Sequence, residues 1–209
     1  MRLPSKVFVA MSIYALKPRF QNLLRPGVRY LHGKGVTANQ VTLAACAVSV
    51  LLGVVLALAA GHSGLFWLLP VWLFVRMALN AVDGMLAREF GQQSALGGYL
   101  NEITDVVADA ALYLPFAFVA PFGGLQIGLL IFVAAMSEFC GVLGQVHGNG
   151  RRYDGPLGKS DRAFIFGALG LWYALAGSLP GWLNAAMWLL IVVLLWTCWR
   201  RVHNGLKAA

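Results

Sequence analysis

Residues 40–60 read QVTLAACAVSVLLGVVLALAA, a run with no charged side chain and no proline. As a helix at 1.5 Å per residue it spans about 30 Å, the thickness of a bilayer's hydrocarbon core. Further apolar stretches follow at 65–87, 99–120, 125–146, 163–179 and 182–199. The 209 residues are 59% hydrophobic and 11% charged, under half the charge of an ordinary soluble domain. The pattern predicts an all-α integral membrane bundle of six transmembrane helices and leaves no length for a separate soluble catalytic domain. The expected organisation is a basic N-terminal segment (1–39), a six-helix membrane domain (40–203) and a short cytoplasmic tail (204–209).

The formal charge of +8 is unevenly placed. Arg2, Lys6, Lys17, Arg19, Arg25, Arg29 and Lys34 precede the first span with no acidic residue among them. Ile13, Leu16, Phe20, Leu23, Leu24, Val28 and Leu31 recur mostly three, four or eight apart over 12–33, which predicts an amphipathic interfacial helix that Pro18 and Pro26 kink. Its expected partner is anionic membrane lipid, not nucleic acid, because each Lys or Arg near such a surface contributes about 1 kcal/mol. The turns at 61–64, 121–124 and 178–181 carry no Lys or Arg, whereas Arg88, the 150–162 loop and the tail do. The positive-inside rule then puts both termini on the cytoplasmic face, and the expected location is a bacterial inner membrane. Cys46, Cys140 and Cys198 lie in apolar stretches without CxxC spacing, so neither disulfides nor a zinc cluster is expected.

All eight acidic residues fall between 83 and 161, several of them within or at the mouth of apolar spans. Intramembrane acids are costly, and usually face a polar cavity with a partner. The chain reads Asn80-Ala81-Val82-Asp83-Gly84-Met85-Leu86-Ala87-Arg88 near the end of the second span. Asn80 and Asp83 share one helix face, and Asn101 and Asp105 share another at the start of the third span. Two carboxylates and two amides make an all-oxygen donor set of the kind that suits Mg²⁺ or Mn²⁺ holding a phosphate. Asp109, two turns beyond Asn101, either binds a second ion or supports the ligands.

These residues resemble the signature of the CDP-alcohol phosphatidyltransferases, D-x2-D-G-x2-A-R-x8-G-x3-D-x3-D. Asp83-Gly84, Ala87-Arg88, the eight-residue gap, Gly97 and Asp105 match it, while Asn80 and Asn101 stand at the first and third Asp positions. Thr37-Ala38-Asn39 resembles the family's T-P-N opening of the first span. The resemblance implies a homodimeric enzyme of phospholipid biosynthesis that moves a phosphatidyl group from CDP-diacylglycerol to a polar alcohol and releases CMP. It further implies that Asp105 is the catalytic base and a metal ligand with Asp83, Asn80 and Asn101. Gly84, Ala87, Arg88, Gly97 and Asn39 would hold the nucleotide and diphosphate.

The 150–162 loop holds the densest internal basic group, Arg151, Arg152, Lys159 and Arg162. These residues either anchor the chain to the membrane face or bind the acceptor, in which case a phosphorylated alcohol becomes plausible. Arg76 and Glu138, charges within the second and fourth spans, are expected to pair, with a role for Glu138 toward the acceptor as the alternative. Two rival functions stay open at this point: a family member that binds CDP-lipid without turnover, and a small proton- or cation-coupled transporter.

Overall fold

The structure, a computed structural model, describes residues 16–148 and 150–207. Arg2, Lys6 and the first residues of the expected interfacial helix lie outside that range. Seven α-helices make up the described residues: α1 (Leu16–Gly33), α2 (Ala38–Leu58), α3 (Leu68–Glu89), α4 (Ala95–Tyr113), α5 (Gly124–Val146), α6 (Lys159–Ala176) and α7 (Leu183–Lys207). Short 3-10 turns stand at Ser63–Trp67 and Leu114–Phe118. Two compact units result. One takes in the described residues up to Ala45 with Arg76–Asn101, and the other Cys46–Val75 with Glu102 onward.

The first unit is built around local stop and start signals. Gly35, at φ 77°, ends α1 in the left-handed conformation. There Val36 N–H reaches Leu31 C=O at 3.0 Å and Gly35 N–H reaches His32 C=O at 2.9 Å, so the last carbonyls of the helix are satisfied. Thr37 then opens α2 with a capping box: Gln40 N–H donates to Thr37 Oγ1 at 3.2 Å and Thr37 N–H donates to Gln40 Oε1 at 2.9 Å. Ala38 N–H, still unpaired within its helix, donates to Gln92 Oε1 at 2.7 Å, which ties the start of α2 to the turn after α3. Val28, Val41, Val82, Met85 and Leu86 are buried beneath this frame. Arg25 pairs with Glu89 at 3.0 Å on its exposed side, and α1 runs on through Pro26.

The second unit has an aromatic core. Tyr113 stacks on Phe166 at 3.9 Å, and Phe66 meets Phe116 and Tyr173 edge-on at 5.5 and 4.9 Å. Two polar side chains inside it find backbone or side-chain acceptors, as apolar surroundings favour: Tyr173 Oη donates to Ala60 C=O at 2.9 Å, and Trp72 Nε1 donates to Ser49 Oγ at 2.9 Å. A Cβ on Gly53 of α2 would run into the backbone carbonyl of Ala111 on α4, so only glycine permits that approach. Large apolar side chains such as Phe74, Phe132, Leu189 and Val192 are exposed, the outward face expected of a protein solvated by lipid.

Among the described residues, four helices are long and apolar enough to cross a membrane: Ala38–Leu58, Ser63–Glu89, Gly124–Val146 and Leu183–Lys207. The apolar stretches of the sequence predict six spans. The remaining two stretches correspond to α4 and α6, whose apolar character is diluted by Glu102, Asp105 and Asp109 in one and by Lys159, Asp161 and Arg162 in the other.

Candidate active site

In the first unit α3 presents the signature residues over its last turns. Asp83 is buried at 4% exposure, and its Oδ2 accepts the Thr42 hydroxyl of α2 at 2.7 Å. Thr42 is absent from the sequence-derived site: an isolated threonine in an apolar run reads as a small core residue, and only the packing of α2 on α3 reveals its partner. One turn on, the Arg88 side chain folds back over Gly84, where an added Cβ would come within 2.8 Å of Nη2. Ser94 caps α4, accepting Gly97 N–H at 3.0 Å. A Cβ on Gly97 would stand 3.0 Å from Asn39 Oδ1 and 3.1 Å from Ser94 Oγ. Asn39 and Gly97, residues distant in sequence, are thus neighbours.

In the second unit the charges of α4, α5, α6 and the 150–158 loop meet. Gly141 and Gly144 let the loop lie on α5: Arg152 N–H donates to Gly141 C=O at 3.0 Å, and a Cβ on Gly141 would stand 2.7 Å from the Arg152 carbonyl. Gly155, at φ 94°, is pressed against Thr197 of α7, whose hydroxyl also donates to Pro156 C=O. Held this way, Arg151 pairs with Glu102 and, at 3.0 Å, with Glu138. Arg162 is 3% exposed and pairs with Asp109 at 3.2 Å and with Glu138 at 3.1 Å. Arg201 of α7 reaches Glu138 at 3.5 Å and donates to Ser137 C=O. Lys159 pairs with Asp105.

Glu138 thus forms ion pairs with Arg151, Arg162 and Arg201. Arg201 was not among the candidate site residues. It sits in the basic tail after an apolar span, where charge alone reads as anchoring. Asp154 accepts from Arg152 Nε at 2.8 Å and from Asn204 Nδ2 at 3.0 Å. Burial works to raise its pKa, and the donors Asn204 and Arg152 outweigh that and hold the carboxyl below its usual range.

No three His, Cys, Asp or Glu side chains gather into a metal-binding group among the described residues. The signature's donors are instead mixed, the carboxylates of Asp83 and Asp105 with the amide oxygens of Asn80 and Asn101. All are hard oxygen donors, which fits Mg²⁺ or Mn²⁺ and disfavours softer ions.

Comparison with known proteins accords with this arrangement. The sequence profile of the family described as CDP-alcohol phosphatidyltransferase matches residues 35–199. Inner membrane protein YnbA of Escherichia coli is 49% identical over 196 residues, covering 94% of this chain and 97% of its own. A phosphatidylinositol phosphate synthase of Mycobacteroides abscessus is 29% identical over 198 residues, 92% of this chain and 88% of its own. In fold, the chain resembles the phosphatidylinositol phosphate synthase of Mycobacterium tuberculosis, solved with CDP-DAG bound, at a TM-score of 0.70 and 22% identity. That match covers 86% of this chain and 92% of the other. The same enzyme in complex with manganese and citrate matches at a TM-score of 0.69, with 22% identity, 86% of this chain and 87% of the other. With four apolar helices of spanning length and the signature carried on α3 and α4, this chain belongs to the CDP-alcohol phosphatidyltransferase family, the membrane-bound transferases of phospholipid biosynthesis.

Proposed function

We propose that the chain transfers a phosphatidyl group from CDP-diacylglycerol to a polar alcohol and releases CMP. The observation that carries this is the signature itself, Asp83-Gly84, Ala87-Arg88, Gly97 and Asp105, at the family's spacing. The solved relative with CDP-DAG bound supports the donor. Membership in a transferase family favours this reading over the transporter.

The acceptor oxygen attacks the phosphorus that bears the diacylglycerol, a new P–O bond forms, and the bond to the CMP oxygen breaks. Asp105 takes the hydroxyl proton. A carboxylate is too weak a base to ionise an unassisted alkanol beforehand, so the proton moves late, as the O–P bond forms. Asp83, Asn80, Asn101 and Asp105 would hold Mg²⁺ or Mn²⁺, which when bound neutralises phosphate oxygens and improves the leaving group. The manganese found in the solved relative supports that choice. Gly84, Ala87, Gly97 and Asn39 admit the nucleotide and diphosphate, with Arg88 as the bidentate cation beside them. Lys159, Arg162, Arg151 and Arg152 form the acceptor side, with Asp109 and Glu138 holding Arg162 in place.

In this reading α2 to α7 are six spans, α1 lies on the cytoplasmic interface, both termini are cytoplasmic, and the chain is a homodimer in an inner membrane. α4, at 19 residues, and α6, at 18, are about 28.5 and 27 Å long. Their buried charges are paired, which offsets much of the cost of placing them in the bilayer.

Radiolabelled CDP-diacylglycerol offered to the purified protein with Mg²⁺ or Mn²⁺ and a panel of alcohols tests the proposal. CMP release that disappears in Asp83→Ala and Asp105→Ala is expected. Binding of the CDP-lipid without release would instead identify a non-catalytic member of the family.

A further inference from the structure

The acceptor side carries five cations, and each already has a carboxylate. Arg151 pairs with Glu102 and Glu138, Arg152 with Asp154, Lys159 with Asp105, Arg162 with Asp109 and Glu138, and Arg201 with Glu138. Five positive charges stand in these pairs against the five carboxylates of Glu102, Asp105, Asp109, Glu138 and Asp154, so each of the five cations already faces an acid.

A phosphorylated alcohol brings a charge of about −1.5 to −2 at pH 7. To bind here it has to take guanidinium groups away from buried carboxylates, which would then face both it and one another at close range. Glu138 dominates this opposition: it is 7% exposed, and its two oxygens engage three arginines. A neutral polyol meets no such conflict. Each of its hydroxyls donates to a carboxylate and accepts from a guanidinium N–H, the alternation that paired Arg and acid side chains present. A small cavity bordered by Asp109, Glu138 and Arg162, with Val106, Ala110 and Ala134, adjoins the network.

We infer that Glu138 makes the chain select an uncharged hydroxylated acceptor and reject the phosphorylated form of the same alcohol. The inference rests on the phosphatidyl-transfer reading and assigns the class of its acceptor.

The test uses the full chain in phosphatidylcholine nanodiscs with CDP-diacylglycerol and Mn²⁺, offering glycerol against glycerol 3-phosphate and inositol against inositol 1-phosphate. The wild type is expected to release CMP faster with the uncharged member of a pair. Glu138→Gln is expected to move the ratio of kcat/KM values about tenfold toward the phosphorylated member, the effect of removing one nearby charge. Because Glu138 is buried, Asp154→Asn is run beside it; this change at a more exposed position has to move the ratio the same way. Thermal unfolding with inorganic phosphate gives a reading free of turnover: phosphate should raise the Tm of Glu138→Gln and leave the wild type unmoved. Preference of the wild type for a phosphorylated acceptor, or equal stabilisation of both proteins by phosphate, overturns the inference and leaves phosphatidyl transfer standing. CMP release with none of these four alcohols, nor with any other alcohol of the wider panel, overturns the transfer reading and the inference with it.

Discussion

Thr42 donates its hydroxyl to the Asp83 carboxylate across 2.7 Å, and both side chains are buried. A buried carboxylate depends on its donors, so this bond does more than an exposed one would. Thr42→Val keeps the shape and removes the donor. It is expected to cost about 1.5–3 kcal/mol, the range for hydrogen bonds to charged groups, and to slow CMP release by disordering Asp83. Thr42→Ser should restore both. Thermal unfolding and turnover of the three proteins check this; a Thr42→Val protein as stable and active as the wild type would show that Asp83 is held by other means.

Gly84 and Arg88 make a second coupled pair, since a Cβ on Gly84 would stand 2.8 Å from Arg88 Nη2. The obstacle is the end of a flexible side chain, so Gly84→Ala should fold as well as the wild type or gain about 0.5–1 kcal/mol from the better helix former. The displaced guanidinium should still raise KM for CDP-diacylglycerol several-fold. Arg88→Ala should raise it too, and the double variant should add little to the larger single effect, the signature of one shared interaction. Strictly additive changes in KM would separate the two residues.

How much of this was legible beforehand follows from the range of the interactions. The Thr37 and Gln40 capping box, the stop at Gly35 and the start of α4 at Ser94 are local, and their residue types announce them. The signature on α3 and α4 is equally local, two short stretches across one turn. Glu138 was another matter. Its ion pair with Arg151 depends on how the loop lies on α5, and that rests on Gly141 and Gly144, which look like ordinary small residues in an apolar helix, while its pair with Arg162 depends on the packing of α6 against α5. Arg76, also in an apolar span, is the partner that span positions alone suggest. Composition likewise treats the charges of α4 and α6 as separate penalties, because pairing is invisible to it.

Arg162 is the member of this network whose loss should be felt most in stability. It is 3% exposed and bridges Asp109 and Glu138, both buried. Arg162→Met keeps much of the volume and takes the shared guanidinium away from two buried carboxylates, so a loss of about 3–5 kcal/mol is expected. Asp109→Asn should cost less, because Arg162 keeps Glu138, and joining it to Arg162→Met should recover part of the loss by removing one of the two buried charges that Arg162 served. Denaturation of the detergent-solubilised variants measures this. An Arg162→Met protein of wild-type stability would mean that water reaches the network and solvates both acids.

Asp154 gives the network an acid limit. Burial pushes its carboxyl up, but hydrogen bonds from Asn204 and Arg152 prevail, so the folded pKa lies below the unfolded value of about 3.9. Between those two values the unfolded chain binds more protons than the folded one, and stability falls as the pH is lowered. Asp154 therefore contributes its full stabilisation above about pH 4 and loses it as the pH falls through the folded pKa. Asp154→Asn cannot titrate, so the difference in stability between wild type and variant isolates this group from the other carboxylates. The difference should stay constant from about pH 7 to 5 and shrink below about pH 4. Thermal unfolding of both proteins across that range checks it. A difference that closes already near neutrality would assign the effect to a group with a higher pKa, and one that persists far into acid would show that the contacts of Asp154 do not depend on its charge.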